Sequence, residues 1–247
     1  YAYKHYCNFV LNKNNIYKQK KSYNNNVPYS ESNYIDQVLE KNILLVSDWK
    51  TFNKSKFNSD ISETHWSWNA KIADLDNDSY QDIYVVNGFI PDGNIKSNIF
   101  LHNQSWEWFK KSEEKYWLDD FLHTTTYTYT DLDNDGDIDI VATWVNAPVR
   151  FFINNSSHNS ISFNIDDNVW NKLGVWTKVY IYYWDKKQQV RELKLWGWFM
   201  SYDDYTLYFW LWNHKKIDKI KIVWSDWQTT ILDKQFDANK NYILSRK

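Results

Sequence analysis

The stretch "WSWNAKIADLDNDSYQDIYVVNG" (residues 66–88) and the stretch "YTYTDLDNDGDIDIVATWVNAPVRFFINN" (residues 127–155) decide the fold, because they contain two copies of one repeat. The pentapeptide DLDND recurs with an offset of 57 residues, from 74 to 131, without a gap. In both copies, short runs of β-branched and aromatic residues flank an Asp and Asn cluster, which predicts strands on either side of a turn. A strand-rich repeat of this length indicates β-propeller blades, each burying its faces against its neighbours.

The repeat extends outward from these stretches. Leu44 aligns with Leu101, and Phe52 aligns with Phe109. Two copies cannot close a ring, and residues 8–19 have the pattern of the end of an earlier blade. The first residues show neither an initiator Met nor a signal-peptide pattern. We therefore expect a fragment that lacks its N-terminal part, including further blades.

Each copy carries an acidic loop, DLDNDSYQD at 74–82 and DLDNDGDID at 131–139. Carboxylates at loop positions 1, 3, 5 and 9, with the carbonyl of position 7, supply the six or so hard oxygen ligands that Ca²⁺ prefers. Gly136 stands where the second loop turns sharply, and Ser79 takes that place in the first loop. The predicted calcium ligands are the side chains of Asp74, Asp76, Asp78, Asp82, Asp131, Asp133, Asp135 and Asp139 and the main-chain carbonyls of Tyr80 and Asp137.

The acidic loops have two other interpretations. An EF-hand would carry a bidentate Glu at position 12, where this chain has Val85 or Ala142, and its flanks would not be strands. A solvated turn without a metal also favours Asp, Asn and Gly, but it does not account for the same spacing at matching phases of the repeat. We therefore predict a structural calcium loop between strands, with a weak dissociation constant of about 10⁻⁴ to 10⁻³ M.

Composition and motifs disfavour several other functions. The formal net charge is −2 with scattered Lys and Arg, which disfavours nucleic acid, and no stretch reaches the ~18 apolar residues of a membrane span. The single cysteine provides neither a disulfide nor a cysteine metal site. The six histidines lack catalytic spacing, so we predict surface or structural roles for them. Asp203 and Asp204 are predicted to form a turn, and Arg191 to face solvent or an ion-pair partner on a strand.

The repeats resemble FG-GAP/VCBS-type propeller repeats, and the region after them resembles the ASPIC/UnbV domain, which is found after such repeats. The second resemblance rests on "NKLGVWTKVYIYY" (171–183), "QVRELKLWGWFMSYDDYTLYFWLW" (189–212) and "IDKIKIVWSDWQTTIL" (217–232). The resemblance implies an all-β fold, with the blades of a partial propeller over residues 1–155 and a small β-rich domain over residues 156–247. It also implies secretion or a position at the cell surface.

Glycine and tryptophan contents are both unusual. The chain has 5 glycines, where ordinary usage of about 7% would give about 17, and it has 16 tryptophans. The resemblance places F-G-L-G at residues 209–212, where this chain has Phe-Trp-Leu-Trp. The tryptophans at such glycine positions are Trp49, Trp106, Trp117, Trp176, Trp184, Trp198, Trp210, Trp212 and Trp227, with Trp108, Trp170 and Trp196 as further candidates. Trp66, Trp68 and Trp224 match true tryptophans, and Trp144 is undecided.

We interpret these tryptophans as glycines encoded by UGA, in an AT-rich lineage that reads UGA as glycine. Several lie in turn contexts such as SDWK (47–50) and SDWQ (225–228), where a glycine with positive φ is expected. Two alternatives take the tryptophans literally, either as a sugar-stacking surface or as core residues. UGG codons at positions 210 and 212 would exclude the recoding.

The sequence favours a non-enzymatic, calcium-stabilised extracellular or cell-surface binding or adhesion module. Its ligand would be a protein or a carbohydrate, and neither nucleic acid nor a membrane span is expected. The alternative is the C-terminal part of a propeller enzyme that acts on a polysaccharide or another surface polymer, with its active site on missing blades. A third hypothesis is a scaffold that holds partner proteins in an assembly.

Overall fold

The structure is a computed structural model, and it confirms the predicted all-β class with several antiparallel sheets. It describes residues 7–10, 42–48, 50–65, 67–88, 96–105, 107–144, 146–156, 158–184, 187–194, 197 and 201–247. Residues 11–19 of the predicted earlier blade, and the positions of Trp49, Trp66, Trp106, Trp196 and Trp198, lie outside these ranges. Within them, no helix has the length and apolar character needed to cross a membrane.

Three antiparallel sheets follow one another through the repeat region. The first has the order β1-β2-β3, the second β4-β5-β6-β7 and the third β10-β9-β8. A short helix, α1 (Asn58–Ile61), follows the first sheet. The strands are β1 (Cys7–Val10), β2 (Ile43–Ser47), β3 (Phe52–Lys54), β4 (Ser67–Ala73), β5 (Asp82–Asn87), β6 (Ile99–Gln104), β7 (Trp108–Lys111), β8 (Thr124–Thr130), β9 (Asp139–Trp144) and β10 (Arg150–Phe152).

The remaining strands form the C-terminal part. A three-stranded sheet has the order β14-β11-β19, in which β11 pairs in parallel with β19, and a four-stranded sheet has the order β13-β12-β16-β17. Strands β15 and β18 pair with each other. The strands are β11 (Asn159–Asp167), β12 (Lys178–Tyr183), β13 (Lys187–Glu192), β14 (Thr206–Trp212), β15 (Lys216–Ile217), β16 (Lys219–Val223), β17 (Thr229–Leu232), β18 (Phe236–Asp237) and β19 (Asn241–Arg246).

Strand β5 is buried on both faces, because its sheet packs between two hydrophobic clusters. Ile83 and Val85 point into the cluster shared with the first sheet, whereas Tyr84 and Val86 point into the cluster shared with the third sheet. Successive strand residues point to opposite faces, so a run without polar residues suits this central position. The packing of neighbouring sheets face to face agrees with the predicted dependence of each repeat on the next.

The C-terminal part has its own core between its two larger sheets. Strand β12 alternates regularly, with Val179, Ile181 and Tyr183 buried and the residues between them only half-buried. Ile161 and Phe163 of β11 meet the same cluster from the other sheet. This alternation is the pattern of strands with one face on a core.

The repeat region and the C-terminal part are in direct contact. Trp210 of β14 belongs to the cluster formed by the second and third repeat sheets, and Tyr208 packs against that cluster. The acidic loop between β4 and β5 also contacts β14, since the Ser79 hydroxyl donates to the Trp210 carbonyl at 3.1 Å. The first acidic loop therefore lies against the C-terminal part.

Candidate metal centre

The first acidic loop connects two antiparallel strands, β4 and β5. The carboxylates of Asp74, Asp76 and Asp82 come together, with one oxygen of each within 4.8 Å of the others. Asp74 and Asp82 are fully buried, and Asp76 is half-buried. The loop therefore places three carboxylates from its first, third and ninth positions around one point.

The second acidic loop connects β8 and β9 in the same way. Its first, third and ninth positions, Asp131, Asp133 and Asp139, form the equivalent group within 4.8 Å. Asp139 is buried, but Asp133 is exposed, so the second group is the more open to solvent. The 57-residue repeat thus produces two carboxylate clusters of the same design.

The backbone of each loop is held by the side chain of its first aspartate. Asp74 accepts hydrogen bonds from the amides of Asp78 and Ser79 at 3.0 and 2.8 Å, and Asp131 accepts from Asp135 and Gly136 at 3.1 and 3.0 Å. The turn requires a left-handed conformation, with φ of +94° at Gly136 and +75° at Ser79. Glycine adopts this conformation without a steric cost, and in the first loop serine bears that cost.

The last aspartate of each loop also holds a neighbouring segment. Asp82 accepts from the amides of Leu75 and Asn103 at 3.0 and 2.7 Å. Asp139 accepts from the amides of Leu132 and Asn154, each at 2.7 Å. These hydrogen bonds orient the carboxylates, so the protein alone fixes the geometry of both clusters.

The remaining predicted ligands lie close by but outside these two clusters. Asp78 groups instead with Asp76 and His102, and Asp135 accepts a hydrogen bond from the Asp137 amide at 3.1 Å. The Tyr80 amide similarly donates to Asp78 at 2.7 Å. The Asp137 side chain is buried and accepts from the Ser156 amide at 3.0 Å, so Asp137 has a structural contact beyond the predicted use of its carbonyl.

Burial makes these carboxylates costly to ionise. It raises the pKa of Asp74 and of Asp82 well above the usual range, and the neighbouring loop carboxylates add to the rise. In the second loop, burial raises the pKa of Asp131 and Asp139, and burial together with Asp135 raises the pKa of Asp137 to about 8. A divalent cation at either cluster would offset both the burial and the repulsion, and its donor set of carboxylate oxygens fits a hard ion.

His102 is the residue at this site that the sequence interpretation missed. Its Nε2 lies 2.8 Å from Asp76 Oδ2 and 3.8 Å from Asp78 Oδ2. Burial lowers the pKa of His102, but the nearby carboxylates of Asp76 and Asp78 outweigh it and raise the pKa to about 10. His102 comes from strand β6, so no spacing within the loop could have indicated it.

The Asp203 and Asp204 pair does more than form the predicted turn. Asp204 accepts from the Thr206 amide at 2.6 Å, as in a local turn, but Asp203 forms an ion pair with Lys71 of strand β4. Asp203 also accepts from the amide of Tyr129 in β8 at 3.0 Å. We call residues 201–204 the clasp segment, because they fasten the C-terminal part to two repeat sheets.

Arg191 does not face solvent, contrary to one of its two predicted roles. Its guanidinium donates to the Val190 carbonyl at 3.1 Å and to Gln189 Oε1 at 3.2 Å, and it lies over the Phe209 ring at 5.3 Å. Burial lowers the pKa of Arg191, while the charge of Asp74 opposes that change. Its charge therefore acts on the first acidic loop from the C-terminal part.

Within the described ranges, five tryptophans have the left-handed backbone that favours glycine. They are Trp117 at φ +58°, Trp176 at +74°, Trp184 at +25°, Trp212 at +53° and Trp227 at +70°. All five side chains are exposed, and all five positions are among those where the resemblance expects glycine. By contrast, Trp224 and Trp144 are buried, and their indole N–H groups donate at 2.8 Å to Thr230 and Asp120. The structure therefore separates these two kinds of tryptophan position. Trp210 belongs to neither, because it stands at an expected glycine position but is buried in the cluster of the repeat sheets.

The fold and the loops define an all-β protein with repeated antiparallel sheets and acidic clusters that could hold a metal ion. The ASPIC and UnbV family profile matches residues 170–247, about a third of the chain. This match supports the predicted resemblance of the C-terminal part. The comparison with curated proteins found no match.

Proposed function

We propose that this chain is a calcium-stabilised binding or adhesion module that works outside the cell or at its surface and has no catalytic role. The observation that carries the proposal is the pair of carboxylate clusters, Asp74 with Asp76 and Asp82 in the first, at the same phase of the repeat. Carboxylates so close together repel one another, and a calcium ion between them would reverse that repulsion. The ion would neutralise the carboxylates and fix the shape of the loop, and it would take no part in a reaction.

The position of the loops supports a structural role for the ion. The first loop joins β4 to β5 and touches β14 through Ser79 and Trp210. The second loop joins β8 to β9, and its Asp137 accepts from the amide of Ser156, just before β11. An ion in either loop would therefore stabilise the contact between a repeat sheet and the C-terminal part.

The proposal assigns residues 1–155 to FG-GAP/VCBS-type propeller blades and residues 156–247 to an ASPIC/UnbV-like domain. The three successive sheets of the repeat region support the first assignment, and the profile match supports the second. Domains of the ASPIC/UnbV family are typical of extracellular or surface proteins, which supports the proposed location. The ligand would be a protein or a carbohydrate of that environment.

Thermal unfolding with and without calcium tests the proposal. Millimolar CaCl₂ is expected to raise the Tm, because an ion that binds only the folded chain stabilises it by mass action. Asp74→Asn and Asp131→Asn should each reduce the rise, while Asp233→Asn, an exposed aspartate outside both loops, should leave it unchanged. An equal rise in all four proteins would show that calcium acts elsewhere, and no rise in the unmodified chain would refute the calcium site.

We also infer that Trp117, Trp176, Trp184, Trp212 and Trp227 stand where the organism incorporates glycine. An L-residue in the left-handed conformation is strained by about 1–2 kcal/mol, and exposed tryptophans at five such positions would carry that strain without compensating burial. Glycine removes the strain, which supports the interpretation of UGA as a glycine codon. Mass spectrometry of the protein from its own organism tests this directly, since tryptophan found at these five positions would refute the recoding.

A further inference from the structure

We propose that the first acidic loop can also hold a divalent transition-metal ion through Asp76, Asp78 and His102. This centre would overlap the proposed calcium site, because Asp76 belongs to both groups. The inference rests on the loop geometry used in the proposed function and adds a second class of ion to one of the two loops. The second loop has no equivalent group among the described residues.

The distances suit one ion. The ligand atoms of Asp76, Asp78 and His102 all lie within 4.8 Å of one another, and His102 Nε2 is 2.8 Å and 3.8 Å from the nearer oxygens of Asp76 and Asp78. Ions such as Zn²⁺ bind nitrogen and oxygen at about 2.0–2.2 Å in tetrahedral geometry, so neighbouring ligand atoms are about 3.3–3.6 Å apart. The observed separations bracket that range, and small side-chain rotations would equalise them.

The His102 ring is held in the orientation that a metal ligand needs. Its Nδ1 lies 2.6 Å from Gln104 Nε2, and the ring packs against Phe100 and Tyr116 with centroids 6.0 and 5.3 Å apart. Metal-binding histidines usually donate their second N–H to an acceptor. A flip of the Gln104 side-chain amide, which places Oε1 where Nε2 lies, gives the Nδ1–H of His102 that acceptor. The His102 side chain is only 13% exposed, so Nε2 is directed at the carboxylates rather than at solvent.

Asp76 is held in place by a different group. The Tyr116 hydroxyl donates to Asp76 Oδ2 at 2.9 Å, whereas Asp76 Oδ1 is buried and has no hydrogen-bond partner in the described part of the chain. A buried carboxylate oxygen without a partner is costly, and an ion would satisfy it. This oxygen is an observation independent of the histidine, and because Asp76 belongs to both groups, an ion at either centre would lie beside its carboxylate.

The ligand chemistry distinguishes the two loops. Calcium takes oxygen ligands, whereas imidazole suits Zn²⁺ and other first-row transition ions. Leu101 pairs with Ile83 and Phe152 pairs with Ile140, so Ile153 is the counterpart of His102 in the third sheet, and the cluster of the second loop contains carboxylates only. Asp78 also lines an open cleft of about 1470 Å³, which gives an ion a route to the centre.

Isothermal titration of Zn²⁺ into the calcium-free chain tests the proposal, because calcium would compete for Asp76. We expect a Zn²⁺ site in the unmodified chain, and His102→Asn, which removes the imidazole ligand, should weaken Zn²⁺ binding at least tenfold. Gln104→Ala should weaken Zn²⁺ about 10- to 100-fold, because it releases the ring of a ligand. His214→Asn is the matched control, since His214 stacks on Trp184 outside every carboxylate cluster, and its Zn²⁺ affinity should not change.

Electron spin-echo spectroscopy of the Mn²⁺-loaded chain provides a second readout that does not depend on affinity. A ¹⁴N coupling to Mn²⁺ is expected in the unmodified protein and should vanish in His102→Asn. Equal Zn²⁺ affinity in the unmodified chain and His102→Asn, or no ¹⁴N coupling, would overturn the proposal. Failure of the calcium proposal would be seen separately, as a Tm that calcium leaves unchanged while His102→Asn still removes Zn²⁺ binding.

Discussion

Replacing two exposed tryptophans by glycine should make this protein more stable, although such changes ordinarily destabilise proteins. Trp117 and Trp227 have φ of +58° and +70° and side chains that are 84% and 80% exposed. Side chains this exposed bury little more area than they do in a realistic unfolded chain, so the loss of burial contributes almost nothing. Their backbone hydrogen bonds, from Trp117 to Glu114 and from Trp227 to Trp224, remain available to glycine.

The magnitude follows from three contributions. Relief of the left-handed strain gains about 1–2 kcal/mol per site, and the greater freedom of glycine in the unfolded chain costs about 0.5–1 kcal/mol. Trp227 also lies 5.9 Å from Lys178 Nζ, and losing that exposed contact costs about 0.5 kcal/mol. Taken at the middle of each range, these contributions give the double variant Trp117→Gly/Trp227→Gly a gain of about 1 kcal/mol. For a chain of this size the Tm should rise by about 2–4 °C.

Thermal unfolding monitored by circular dichroism measures the effect in protein expressed from UGG codons. The control is Ile243→Gly, because Ile243 is 70% exposed but lies within strand β19 and is not at an expected glycine position. Glycine in a strand lowers stability, so this variant should lose about 1 kcal/mol. If the double variant lost stability as the control does, the strain argument would be wrong, and the recoding would lose its physical support.

Three further predictions concern the clasp segment, acid stability and the C-terminal core. Lys71→Met should destabilise the protein less when Asp203 is already Asn, because the ion pair is then already lost. Urea unfolding of the two single variants and the double variant should give a coupling energy of about 1–2 kcal/mol. Additive effects would show that the ion pair contributes nothing. The hydrogen bonds from Arg246 lower the pKa of Asp167 to about 2. The stability that these bonds contribute is therefore fully present above the unfolded pKa of about 3.8 and is lost as the pH falls through 2. Urea midpoints between pH 5 and 2 should therefore fall less steeply in Arg246→Met, and equal slopes would refute this. Phe163→Ala should cost about 3–5 kcal/mol in chemical unfolding, since Phe163 is fully buried, whereas a cost below about 1 kcal/mol would contradict the described core.

The features that the sequence predicted are those that depend on local pattern. The strand run at 82–87 and its buried character follow from consecutive β-branched and aromatic residues, and the turns at Ser79 and Gly136 follow from their positions in the repeated loops. The convergence of aspartates within nine residues is equally local, although calcium binding itself stays a prediction. Pattern and spacing are sufficient where the interacting groups are close in the chain.

The features that the sequence did not predict are those that depend on contacts between distant segments. His102 reaches the first loop from strand β6, and Asp203 reaches Lys71 across 132 positions. The local sequence around an aspartate in a turn is the same whether or not the aspartate pairs with a distant lysine. The double role of Asp203 could therefore be seen only from the arrangement of the sheets, because that arrangement determines which side chains are buried.

The clasp segment has a consequence for how the chain matures during its synthesis. Lys71 has its side chain almost enclosed, yet its carboxylate partner lies 132 residues further along the chain. At about 5–20 residues per second, a ribosome needs about 7–26 s to add that length. During that interval the Lys71 amine has the Tyr127 carbonyl but lacks Asp203, so water takes the place of the carboxylate. The C-terminal part therefore supplies the charged partner of this enclosed amine only after the repeat sheets have been synthesised.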